Sequence, residues 1–245
     1  MNHVTLVTGA SRGIGAATAL RLGAAGHAVA VNYARDAAAA DSVVEAIGRA
    51  GGEALAVQAD VSSEADVLRM FEVVDRRWGR LTGLVNNAGV VDAATRVEAV
   101  TLARLERIFA VNVFGSFLCA REAVKRMQAA GGGAIVNVSS VAARLGSPNE
   151  YVDYASAKAA IDTFTRCLAL EVVARGIRVN AVRPGIVATE IHASGGQPDR
   201  VARLGPLVPM QRAGTADEVA AAIAWLLSDE ASYCTGAIID VSGGR

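Results

Sequence analysis

Seven short apolar runs mark out the chain: VTLVT from Val4, AVAVN from Ala28, ALAVQ from Ala54, GLVNN from Gly83, AIVNV from Ala134, IRVNAV from Ile177 and AIIDV from Ala237. Each is continuous rather than alternating, as expected of a strand with both faces covered in a parallel sheet. Between the runs, apolar positions recur with a helical period over about residues 13–25, 36–50, 64–78, 101–129, 154–175 and 216–228. Strand alternating with helix predicts an α/β class and a doubly wound, seven-stranded parallel sheet flanked by helices on both faces. No linker interrupts the pattern, so residues 1–245 read as a single domain. One stretch breaks the rhythm: residues 189–209, TEIHASGGQPDRVARLGPLVP, hold three of the five prolines. It follows the carboxyl end of a strand, where open α/β sheets bind ligands, and reads as a substrate-binding lid loop.

Composition narrows the function by exclusion. With 24 basic and 24 acidic residues, the formal net charge is zero, which gives no footing for nucleic acid or an anionic membrane. No run of 18 apolar residues is present, and a strand starting at Val4 leaves no room for a leader before it. Cys119, Cys167 and Cys234 are scattered in apolar sequence, as are the histidines, so no metal site is expected. The cysteines read as reduced core residues of a cytoplasmic protein.

The first chemistry lies in TGASRGIG, between the first strand and the first helix. Gly9, Gly13 and Gly15 permit a tight turn and a close approach of backbone to ligand, with Ser11, Arg12 and Ile14 between them. The free N–H groups of the following helix favour a pyrophosphate. A dinucleotide cofactor is therefore expected. The second strand ends in Asn32 and Tyr33, where an NAD site usually carries an acid on the ribose. Arg35 follows, and Asp36 reads as the cap of the next helix. Arg12 and Arg35 could clamp a 2′-phosphate, so NADP(H) is preferred here and NAD(H) remains possible.

The second chemistry lies in YASAK. Tyr154 and Lys158 are four residues apart and share a helix face. A phenol near pKa 10 is a poor acid or base at neutral pH, and an adjacent ammonium favours its ionised form. Ser139 and Ser140 end the fifth strand on the ligand side of the sheet, and Asn112 is a polar intrusion in an apolar helical run. Together, TGASRGIG, NNAG at 86–89, Asn112, Ser140, YASAK and RPGIVAT at 183–189 resemble the short-chain dehydrogenase/reductase family along the whole chain.

That resemblance implies a Rossmann-type fold and a hydride transfer between nicotinamide and a carbonyl or alcohol. It implies that Tyr154 is the general acid/base, Lys158 lowers its pKa and binds the nicotinamide ribose, Ser140 polarises the substrate oxygen, and Asn112 holds a water for proton supply. It also places Asp60 and Val61 at the adenine, Asn87, Ala88 and Gly89 along the adenosine, and Pro184, Gly185, Val187 and Thr189 near the nicotinamide. Ser140 and Tyr154 are 14 residues apart, one more than is commonest in the family, suggesting an insertion within residues 146–153. Its polar members Glu150, Tyr151 and Asp153, with Glu190 and His192 of the lid, are candidates to bind a small polar carbonyl or alcohol compound.

The members it most resembles are 3-oxoacyl-carrier-protein reductases and glucose dehydrogenases. A carrier-protein reductase needs basic residues at the site mouth, and here residues 129–133 and Leu170 are uncharged, with Lys125, Arg126 and Arg166 as the available substitutes. A cofactor-binding sensor without catalysis is the alternative from another class. The family resemblance also implies a homotetramer, to which the apolar last strand and Trp225 and Leu226 could contribute surface.

Overall fold

The protein was analysed as a computed structural model, which describes residues 3–245. The strands are β1 (Val4–Val7), β2 (Ala28–Tyr33), β3 (Glu53–Gln58), β4 (Gly83–Asn86), β5 (Gly133–Val138), β6 (Ile177–Pro184) and β7 (Ile238–Val241). They form one parallel sheet in the order β3-β2-β1-β4-β5-β6-β7. The chain winds outward from β1 to β3, then crosses back to β4 beside β1. That reversal opens a crevice at the carboxyl ends of β1 and β4.

Two apolar layers explain the continuous strand runs. On one face, α1 (Gly13–Ala24), α2 (Ala37–Arg49) and α10 (Ala216–Leu227) cover Val7, Val29, Val31, Val85 and Val136. On the other, α3 (Glu64–Trp78), α5 (Gly115–Ala129) and α7 (Val152–Val172) cover Leu6, Ala30, Leu84, Ile135 and Val179. As expected, Asp36 caps α2, its carboxylate accepting from the Ala39 N–H at 3.0 Å.

The expected helix over 101–129 is instead α4 (Leu102–Phe109), a π-helical turn (Ala110–Phe114) and α5. The side chain of Asn112 causes the break. Its Nδ2 donates to the Ile108 carbonyl four residues back at 2.9 Å, and the ladder widens to admit it. Helix α7 starts at Val152, two residues before the expected start, so Tyr154 lies inside its first turn. A one-turn helix, α6 (Ala142–Leu145), follows β5. The proline-rich stretch is not structureless: it carries α8 (Ile191–Ser194), α9 (Arg200–Leu204) and a 3-10 turn (Gly205–Leu207).

Two other expectations are corrected. Cys167 is exposed on α7, so only Cys119 is a fully buried core cysteine. Leu226 closes the sheet's own core at 0% exposure, whereas its neighbour Trp225 is partly exposed. The outermost strand β7 pairs with β6 alone. No helix among the described residues is long and apolar enough to cross a membrane.

Candidate active site

The turn after β1 is shaped by its glycines. Gly9 has φ +60°, and a Cβ there would stand 2.9 Å from Ala88 Cα, so this backbone must pack bare against the turn after β4. Gly13 has φ +55°, with Thr189 Cγ2 3.4 Å from where its Cβ would be. Thr8 and Asn87 tie the two turns together. The Asn87 Nδ2 donates to the Thr8 and Gly9 carbonyls at 2.8 and 3.0 Å, and the Asn87 N–H donates to Thr8 Oγ1 at 3.0 Å.

Asn32 departs from its expected place on the cofactor. It is 1% exposed; its Nδ2 donates to the Val57 and Ala59 carbonyls, and its Oδ1 accepts from the Gly9 N–H at 3.1 Å. With both ends of the amide spent on backbone, it anchors the glycine turn from behind. Tyr33 ends β2 half-buried, and Arg12 and Arg35 are exposed. Among the described residues, no carboxylate lies within 4 Å of either guanidinium. Asp60 is exposed and accepts from Ser62, while the Val61 side chain packs in the core against Gly115.

A cavity of about 420 Å³ opens from this crevice. Its wall includes Ile14, Asn87, Gly89, Ser140, Tyr154 and Lys158, joined on the β6 side by Pro184, Gly185, Val187 and Thr189. The sheet therefore gathers residues from 14 to 189 of the chain at one place. Ser139 lies on the same wall, but its hydroxyl donates to the Lys158 carbonyl at 3.1 Å, leaving Ser140 beside the Tyr154 phenol. Lys158 Nζ donates to the Val138 carbonyl at 2.7 Å and lies 5.7 Å from the centre of the Tyr154 ring. Asn112 lies behind them. Its amide bridges to Val90 in both directions, Nδ2 to the carbonyl at 2.9 Å and Oδ1 from the N–H at 3.2 Å. A Cβ on Gly89 would fall 2.9 Å from Asn112 Oδ1 and 3.5 Å from Lys158 Nζ, so the bare glycine keeps this corner open.

Burial dominates the electrostatics of this group. It pushes the Tyr154 phenol up to about 12, against the opposing pull of the Ser140 hydroxyl. It pushes the Lys158 ammonium down to about 8, against the charge of Asp162. The expected lowering of the tyrosine by the lysine is not seen. The ammonium stands beside the ring, bonded to a carbonyl, and desolvation outweighs it. As it stands, the phenol holds its proton at neutral pH.

A family model described as "Enoyl-(Acyl carrier protein) reductase" matches residues 9–245. The chain belongs to the short-chain dehydrogenase/reductase family. It is 57% identical over 245 residues to the uncharacterized oxidoreductase YgfF of Escherichia coli, covering 99% of both chains. It is 39% identical to glucose 1-dehydrogenase 2 of Bacillus subtilis over 240 residues, 98% of this chain and 93% of that one. A short-chain type dehydrogenase/reductase from Mycobacterium marinum superposes with a TM-score of 0.93 at 34% identity, over 99% of this chain and 94% of that one. A 3-ketoacyl-(acyl-carrier-protein) reductase from Brucella melitensis, solved with NADH, gives 0.92 at 35%, covering 99% and 98%.

As a short-chain dehydrogenase/reductase, the chain is an oxidoreductase of alcohol and carbonyl groups that uses a nicotinamide cofactor. A second set of contacts lies along the cavity wall built by residues 146–151 and 191–200. Residues 146–151 include Asn149 in the left-handed region at φ 63°, and this loop is laced to its neighbours. The Thr95 N–H donates to the Glu150 carbonyl at 2.9 Å, and the Glu150 carboxylate pairs with Arg200 at 2.8 Å. Gln197 Nε2 donates to the Tyr151 hydroxyl at 2.6 Å, and Arg200 stacks over the Tyr151 ring at 5.2 Å.

Tyr151, Glu150 and His192 line the cavity as expected, but Asp153 and Glu190 do not. Asp153 turns inward to Arg104, at 2.6 and 3.3 Å. Glu190 leans toward the glycine turn, its Oε2 3.8 Å from where a Cβ on Gly13 would be. Arg200 and Gln197 escaped sequence reasoning because nothing in the local pattern links them to residues about fifty positions earlier.

Proposed function

We propose that the chain is an NADP(H)-preferring oxidoreductase of a small carbonyl or alcohol compound, with Tyr154 as its general acid/base. The observation that carries this reading is the convergence of Ser140, Tyr154 and Lys158 on one cavity wall with the glycine turn beside them. The residues fit a nicotinamide dinucleotide. Gly9, Gly13 and Gly15, with Ser11 and Ile14, leave bare backbone at the start of α1 for a pyrophosphate. Asp60, Val61, Ala88 and Asn87 frame the adenosine side, and Pro184, Gly185, Val187 and Thr189 the nicotinamide side. Arg12 and Arg35, exposed and with no carboxylate partner among the described residues, suit a 2′-phosphate beside Tyr33.

When bound there, the dinucleotide supplies the hydride. Ser140 orients the substrate oxygen, and Tyr154 delivers a proton to it. A phenol pushed up to about 12 enters the cycle protonated, which suits the direction of carbonyl reduction. Lys158, with donors left beyond Val138, holds the ribose, and Asn112 shapes the corner for a water that restores the proton. Residues 189–209 serve as a lid over the substrate.

Leu170 is 80% exposed where a carrier-protein reductase would place a base, which favours a free small molecule over a carrier-bound thioester. Phe114, Phe117 and Leu170 leave an apolar outer face on the π turn, α5 and α7 and support a homotetramer, which sedimentation at micromolar concentration checks.

The test is NADPH oxidation against a panel of thioesters, sugars, diketones, quinones and ketones, run with Tyr154→Phe alongside. Loss of about 10²-fold or more in kcat/KM is expected of the variant, from the usual size of general acid/base catalysis. A variant as active as the parent would refute the role of Tyr154. NADPH binding without turnover of any compound would favour a sensor.

A further inference from the structure

We propose that Asp162, paired with Arg183, is a positioning residue for proton transfer, holding Lys158 as a buried ammonium. The inference deepens the reading above and rests on it. Asp162 follows Lys158 by one turn of α7, on the same helix face, and is 5% exposed. Arg183 of β6 grips one carboxylate oxygen, Oδ2, with Nε at 2.9 Å and Nη2 at 2.7 Å. The other oxygen, Oδ1, is buried and has no partner among the described residues. A buried carboxylate left half-satisfied costs stability unless something else makes use of its charge.

Lys158 is the group that uses it. It is 4% exposed, and a buried ammonium is driven toward neutrality unless a negative charge lies close. The charged and titratable groups around it are few. Tyr154 and Asp162 lie one turn to either side on α7, and Arg183 reaches in from β6. From β5, the turn after β4 and the π turn come only neutral groups: the Val138 carbonyl, Ser139, Gly89 and Asn112. Asp162 is thus the anion available to Lys158. Its charge opposes the burial that lowers the lysine to about 8. Arg183 pairs with the carboxylate at 2.7 Å and is itself held by Asp240 at 3.4 Å.

The chain contains only two lysines, Lys125 and Lys158, which makes a direct test possible. Protein labelled with ¹³C at the lysine ε carbon gives two signals, with Lys125 on the surface as the internal reference. Titrated without cofactor, the Lys158 midpoint is expected near 8 in the parent. Coulomb's law at about 6 Å and an effective dielectric near 20 gives roughly two pH units for a full charge. Asp162→Asn should therefore lower the midpoint by about one to two units, and Asp162→Glu should restore most of it. The alkaline limb of kcat/KM should move with the midpoint. If Asp162→Asn fails to fold, Asp162→Leu combined with Arg183→Leu removes both charges without stranding one, and its midpoint should also fall. An unmoved midpoint in a folded variant overturns the proposal, and so does failure of both variants to fold, which would make Asp162 purely structural. The lysine titration needs no turnover, so it stands apart from the Tyr154→Phe test of the underlying activity.

Discussion

Arg104 reaches from α4 to the residue just before the tyrosine. Its Nε and Nη2 meet the two oxygens of Asp153 at 2.6 and 3.3 Å, and its Nη1 donates to the Ala93 carbonyl at 2.6 Å. The side chains are 11% and 1% exposed, so this is a buried pair. Asp153 Oδ1 also accepts the Tyr154 N–H at 2.9 Å, tying the first turn of α7 to the same carboxylate. Arg104→Met keeps much of the stem's volume but strands a charge in the interior. Breaking a buried pair in this way costs about 3–5 kcal/mol. Urea unfolding at pH 7 and fixed protein concentration measures the loss. Adding Asp153→Asn removes the stranded charge while preserving an acceptor for the Tyr154 N–H, and should recover half or more of it. A loss below about 1 kcal/mol in the single variant, the range of an exposed pair, would refute the reasoning. So would a double variant no more stable than the single one.

Two further predictions concern cofactor choice and acid stability. Arg35→Ala should weaken NADPH about tenfold or more, the size of one lost charge-assisted hydrogen bond, and leave NADH nearly unchanged; equal weakening in a fluorescence titration would remove Arg35 from the phosphate. His27 is lowered to about 4 by burial and, secondarily, by His3 stacked 4.9 Å away. The unfolded chain takes up its proton near 6.5 while the folded chain does so only near 4, so folding stability should fall as pH drops through that window and stay level above it. His27→Gln should flatten this part of the stability–pH curve measured by urea unfolding, and an unchanged slope would show that His27 is not responsible.

What the sequence makes legible follows from how local the physics is. The strands show because the central ones are covered on both faces, which leaves no polar alternation, and the edge strands β3 and β7 share the same apolar run while staying partly exposed. The glycine turn shows because positive φ at Gly9 and Gly13 demands a residue without a side chain. Tyr154 and Lys158 show because helix geometry fixes what four residues of separation means. The rest depends on contacts made across the fold. Asn112 reads as an oddity in the sequence, but the π turn it creates depends on its reach to Ile108 and Val90. Asn32 looks like a ligand contact until β3 is seen to absorb its amide. Asp153 looks like a rim residue until Arg104, 49 positions away, meets it. The sign of the tyrosine shift is likewise a matter of enclosure, which spacing cannot report.

The lacing of the proposed substrate wall bears on how such a protein changes its diet. Thr95, Glu150, Tyr151, Gln197 and Arg200 hold three segments to one another, while the proposed proton-transfer group of Ser140, Tyr154 and Lys158 is rooted in β5 and α7. Altering one segment alone breaks its partners' bonds. Exchanging residues 146–151 and 191–204 as a matched pair keeps those bonds and replaces the wall that a substrate meets. Selection, or a laboratory recombination, would therefore move specificity in blocks rather than by single residues, with the reaction itself carried along unchanged.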